Sequence, residues 1–119
     1  MKTENKIAEL TFNFSLQIIE LYKRLVDQKE FIISKQLLRS ATSIGANVEE
    51  SSAAQTKKDF ITKMSIASKE ARETKYWLRL LDKSQIVKGD YTIHLSSVEY
   101  IIIILTKIVK TSQESLKPQ

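Results

Sequence analysis

The sequence predicts an all-α fold, an antiparallel up-down-up-down bundle of four helices, and three observations predict it. The 119 residues hold only two glycines and one proline, so little in the chain can punctuate strands. Apolar residues recur at three- and four-residue spacing through four long segments. Only short polar stretches with capping signals separate these segments, which leaves each helix to fold back on the one before it.

The first helix is expected from about Asn5 to Val26, with Ile7, Leu10, Phe14, Leu21 and Leu25 near one face. Phe12, Leu16, Ile18 and Ile19 widen that face. Asp27 followed by Glu30 resembles a capping box with Asp in place of Ser or Thr, so the second helix is placed from about residue 28 to Ala54. Thr56 to Asp59, TKKD, repeats the signal and starts a third helix at about Lys57, ending near Lys83. In VKGD, Gly89 can turn the chain and Asp90 can cap a fourth helix from about Tyr91 to Thr111. The remaining SQESLKPQ is expected to fray. One domain of this length can bury roughly two-thirds of its unfolded surface, and helices of this size make a rod roughly 30 to 40 Å long.

Composition narrows the chemistry. With no cysteine there is neither a disulfide framework nor a thiolate metal site, and His94, the single histidine, cannot form a histidine-rich site alone. No metal, cofactor or catalytic residue is expected. MKTENKIAELTFNF lacks the succession of a signal peptide, and the longest apolar run, Ile101 to Leu105, falls far short of the roughly 20 residues that cross a membrane. The expected compartment is the cytoplasm, with no membrane partner. Nineteen basic against fourteen acidic residues give a net charge of +5, which permits attraction to polyanions and serves solubility equally well.

The second helix is unusual in the side it turns from the core. Leu37, Ala41, Ile44 and Val48, with Leu38 at the edge, form the expected core stripe. Opposite lie Gln36, Arg39, Ser40, Ser43, Asn47 and Glu50, mostly short hydroxyls and amides where a solvated face would carry long Lys and Glu. Such a surface suits close approach by another helix, because each hydroxyl or amide can hydrogen-bond across the contact. On the fourth helix Val98, Ile101, Ile102, Leu105, Ile108 and Val109 fill one face, and Tyr100, Ile103 and Ile104 spill onto others. Apolar surface on a second side points to a homo-oligomer.

Phe60, Met64, Ala67, Ala71, Thr74, Leu78 and Leu81 make the core face of the third helix. Glu70 sits at its edge and Glu73 beside it, which calls for a partner, and Arg39 is the obvious one. Such carboxylates can do acid–base work, but no nucleophile, ligand set or glycine loop accompanies them. His94 is read as a bundle-end or interface residue. Away from the core, Lys58, Lys69, Arg72, Arg79 and Lys83 align with Tyr76 among them, flanked by Lys57 and Lys75. Cations along a helix with an interleaved ring can follow a phosphate backbone while the ring stacks on a base. A solvated helix looks the same, and Tyr76 and Trp77 suit an interface equally well.

QLLRSATSIGANVEES, Gln36 to Ser51, followed by DFITKMSIASKEARETKYWLRLL, Asp59 to Leu81, resembles the small bacterial four-helix-bundle proteins encoded in intervening sequences of 23S ribosomal RNA genes. The likeness covers roughly residues 8 to 112. It implies a homopentamer around a central channel. A related branch, the accessory variability proteins of diversity-generating retroelements, is similar in fold, with a basic pentameric barrel that binds nucleic acid and a reverse transcriptase. By this resemblance Gln36, Arg39, Ser40, Ser43, Asn47 and Glu50 form the family's polar stripe and Glu73 its third-helix acid. Many relatives follow the Asn with an acidic residue and glycine; VEESSAA here leaves room for a longer second helix.

The function expected is a non-enzymatic homo-oligomer that binds RNA or DNA through Lys58, Lys69, Arg72, Tyr76, Arg79 and Lys83. The alternative is a scaffold that recruits a protein partner, such as a nucleic-acid enzyme, without binding nucleic acid.

Overall fold

The computed structural model describes residues 2–116 as four helices: α1 (Lys2–Asp27), α2 (Ile33–Ser51), α3 (Lys57–Ser84) and α4 (Thr92–Leu116). They pack in chain order as a bundle, and α4 closes back on α1 through the thinnest of the four contacts. The molecule measures 54 × 23 × 22 Å. It is longer than expected because α3 alone, at 28 residues, spans roughly 42 Å and the connecting turns add to it.

Four faces of period 3.6 meet in one core. Ile7, Ile18 and Leu25 of α1, Leu37 and Ile44 of α2, Met64 and Leu78 of α3, and Val98, Ile101 and Leu105 of α4 are fully buried. Each such side chain contributes about 1.5–3 kcal/mol. Between α2 and α3 the core narrows to Ala41, Ala67 and Ala71, also fully buried, so these helices lie close.

The second helix starts later than expected, and the reason is local. Lys29 adopts a left-handed φ of 65°, and the Glu30 amide donates back to the Leu25 carbonyl at 2.9 Å, closing α1 in a Schellman-type turn. Glu30, not Asp27, then caps α2. Its buried carboxylate accepts from the amides of Ile32 (3.0 Å), Ile33 (2.9 Å) and Ser34 (2.6 Å), three donors that a helix start otherwise leaves unpaired. Burial raises the Glu30 pKa, but the bonds from Ile33, Ser34 and Ile32 outweigh it and hold the carboxyl below its ordinary range.

α2 also ends earlier than Ala54. The amides of Ser52, Ala53 and Ala54 bond to carbonyls three residues back, unwinding the helix into tight turns. The next start is as expected, with Thr56 Oγ1 accepting from the Asp59 amide at 3.0 Å. α3 stops at Gln85, whose φ of 49° does the turning assigned to Gly89. The Gln85 carboxamide also clamps the loop: Nε2 donates to the Gly89 carbonyl at 3.1 Å and Oε1 accepts the Gly89 amide at 3.1 Å. Asp90 caps α4 as anticipated, accepting from the Thr92 amide at 2.9 Å. That helix continues to Leu116 through most of the segment expected to fray, whose last three residues lie outside those described.

Candidate nucleic-acid interface

The spacing of Lys58, Lys69, Arg72, Tyr76, Arg79 and Lys83 puts all six within a sector of about 80° at 100° per residue. Each is exposed, and together they form a ridge along α3. From Lys58 to Lys83 the ridge runs roughly 38 Å at 1.5 Å per residue. None of its five cations has an ion-pair partner among the described residues. Tyr76, 53% exposed at the ridge, meets the Trp77 ring edge to face at 5.1 Å. The flanking cations differ, for Lys75 is paired with Glu99 of α4.

On the side toward α2 the ridge is bordered by the expected ion pair. Arg39 Nη2 meets Glu73 Oε2 at 2.5 Å, and Nη1 meets Glu70 Oε2 at 3.3 Å. The Arg39 side chain is 53% exposed, so the pair sits at the surface and not in the buried setting where such pairs weigh most. Trp77 Nε1 donates to the same Glu73 oxygen at 3.0 Å. That bond, with Arg39 beside it, outweighs burial and holds the Glu73 carboxyl below its ordinary range.

The rest of the α2 polar stripe divides. Ser40, placed opposite the core by its spacing, is fully buried against Thr74 of α3. Glu50 pairs with Lys63 at 2.8 Å. Asn47 Nδ2 donates to the Ser43 carbonyl of its own helix at 2.9 Å; both side chains are half-buried, while Gln36 is exposed. The helix that this small-residue face approaches is therefore α3 of the same chain. Toward α1, a Cβ on Gly45 would stand 3.5 Å from the Thr11 carbonyl, so small residues serve that contact as well.

Sequence reasoning missed the bond of Trp77 to Glu73, the pairing of Lys63, and Thr106, whose hydroxyl accepts from Arg72 Nη2 at 3.2 Å. The i,i+4 spacing of Glu73 and Trp77 was readable; the other two contacts cross between helices. His94 is half-buried with Nδ1 unpartnered, and burial, with Arg24 nearby, lowers its pKa. Among the described residues no cluster of His, Asp or Glu has the composition to hold a metal ion. An opening of about 610 Å³ lies off the ridge between the start of α3 and the end of α4.

Although its longest unbroken apolar run is short, α4 taken as a whole is long and apolar enough to cross a membrane by length and composition. Its Val98, Ile101 and Leu105 nevertheless form bundle core.

Among curated proteins no relative matches. The chain is similar to a crystallised protein of unknown function from the S23 ribosomal protein family of Bacteroides thetaiotaomicron VPI-5482. The two share 44% identity at a TM-score of 0.86, covering 91% of this chain and 98% of that one. The sequence pattern of 23S rRNA-intervening sequence proteins matches residues 3–114, nearly the whole chain, and the chain belongs to that family.

Proposed function

We propose that the protein is a non-enzymatic, antiparallel up-down-up-down four-helix bundle that assembles as a homo-oligomer, a pentamer by family resemblance, and binds RNA or DNA. The observation that carries this reading is the α3 ridge, five exposed cations without ion-pair partners among the described residues around an exposed Tyr76. The family name refers to 23S rRNA, and RNA is accordingly the first polyanion to test. Antiparallel packing is supported by register: Ser40 meets Thr74 while Glu50 meets Lys63, so numbers rise along α2 as they fall along α3.

Assembly is supported by what the single chain leaves uncovered. Only 22% of the apolar α4 window is buried. Phe12 and Leu16 on α1 are 64% and 49% exposed, and Ile93, Tyr100 and Ile103 on α4 are 70%, 46% and 53% exposed. Two unlike apolar patches suit head-to-tail contacts that close into a ring. Repetition of the ridge around such a ring would strengthen polyanion binding by avidity.

Light-scattering mass during size exclusion, with labelled RNA and DNA at two salt concentrations, tests both parts. The expected result is a mass of about five 13.7 kDa chains and co-elution that weakens with salt, by roughly 0.7–0.9 log units per phosphate contact for each log unit of salt. Salt-independent binding removes the ridge as the contact, and a monomer removes the ring.

A second reading has its own support. Phe31, Ile32 and Ile86, in the two loops at one end of the bundle, are 56%, 75% and 62% exposed. An apolar end of this kind fits a scaffold that recruits a protein, such as a nucleic-acid enzyme. A partner retained in pulldowns after nuclease treatment, and lost on Ile32→Asp, would favour it.

A further inference from the structure

We propose that the notch between α3 and α4, bounded by Arg72 and Lys110, binds a phosphate group. The inference rests on the nucleic-acid reading and deepens it, since one phosphodiester seated there would fix the strand beside the ridge. The notch measures about 240 Å³. That is below the roughly 300–1,000 Å³ of sites that enclose a whole drug-sized ligand, and it suits a single charged group.

Apart from Val109, which forms an apolar part of its wall, the lining residues all carry donors. Ser65, Ser68 and Arg72 come from α3, and Thr106, Lys110 and Gln113 from α4. No carboxylate lines it. These residues stand at i, i+3, i+7 on one helix and i, i+4, i+7 on the other, so each set forms a ladder facing the shared groove. Three hydroxyls, a carboxamide, an ammonium and a guanidinium converge there, a set matched to an anion's acceptor oxygens.

The Arg72–Thr106 bond orients the site. Arg72 Nη2 donates to Thr106 Oγ1 at 3.2 Å, which spends one of five guanidinium N–H groups and leaves four for a ligand at the notch that Arg72 lines. Thr106 keeps its own proton to donate. Of the nearest α4 acids, Glu99 is held by Lys75, and Glu114 is exposed one turn beyond Lys110. Arg72 also belongs to the ridge, so a phosphate in the notch would lie beside Lys69, Tyr76 and Arg79.

The test compares wild type, Lys110→Gln, Arg72→Lys and the distant control Lys88→Gln. Binding of a short single-stranded RNA is followed across salt, and inorganic phosphate is titrated with amide chemical shifts as the readout. Lys110→Gln is expected to flatten the salt slope by about 1. Arg72→Lys keeps the charge and should still weaken binding, because the fork is lost. Lys88→Gln should change nothing, and phosphate should shift the Ser65, Ser68 and Thr106 amides. RNA binding that ignores Lys110→Gln and Arg72→Lys overturns the notch and leaves the ridge standing. Saturable phosphate shifts without RNA or DNA binding overturn the nucleic-acid reading and keep the notch as a site for free phosphate. Neither response overturns both.

Discussion

The hydroxyl of Thr74 lies 2.9 Å from that of Ser40, and both side chains are fully buried where α3 meets α2. Each hydroxyl has one proton, so the pair is a relay that ends on a backbone carbonyl, that of Leu37 at 3.3 Å or of Glu70 at 2.8 Å. Removing one member leaves the other short of a partner in a site closed to water. Ser40→Ala and Thr74→Val should each cost about 1–3 kcal/mol, and the double variant should cost less than their sum. Urea unfolding of the three variants measures the coupling; strict additivity would mean that each hydroxyl is satisfied by its own helix.

Glu30 makes the start of α2 sensitive to acid. Its folded pKa lies below the ordinary carboxylate value, so its contribution is full above that value and is lost as pH falls through the lowered one. Glu30→Ala should cost about 1–3 kcal/mol at neutral pH, because three helix-start amides lose their acceptor. The gap between wild type and variant should narrow below about pH 4. Equal stability at neutral pH would mean that water or another group replaces the cap.

Arg39→Ala should cost about 1 kcal/mol, well under the 3–5 kcal/mol that stranding a buried charge brings, because the guanidinium is half in solvent. Glu73 keeps the Trp77 bond after the change, which softens the loss further. Thermal unfolding should show a shift of about 4 °C, smaller at high salt. A fall of 3 kcal/mol or more would place the network in an environment far drier than its exposure indicates.

Gly45→Ala should stabilise α2. The new methyl would meet Ser15 Oγ and the Thr11 carbonyl at 3.5 Å, ordinary contact, while helix propensity favours Ala by about 0.8–1 kcal/mol. Lys29→Gly should also stabilise, since Lys29 holds a left-handed φ of 65° that glycine adopts freely. Melting temperatures of the single variants decide both; a drop for Gly45→Ala would show that the α1–α2 contact does not admit the methyl.

The sequence alone determined four helices, their core faces, the Thr56 and Asp90 caps, the exposed α3 ridge and the pairing of Arg39 with Glu70 and Glu73. All of these follow from periodicity and from which side chains reach a helix end or a neighbouring turn, which are local and repeat along the chain. What covers a helix face is not local. Ser40 looked as free as Ser43 in the sequence, yet only the approach of Thr74 makes it core. Glu30 looked like half of a capping box, but the left-handed turn at Lys29 brings it under α2 as the cap itself. The donor-lined notch exists because the register of α3 against α4 sets Arg72 beside Thr106, a coincidence of residues 34 positions apart that no spacing within one helix encodes. Tertiary structure decided these features because burial and pairing depend on the distance between elements, and a sequence fixes the faces of its helices before it fixes their neighbours.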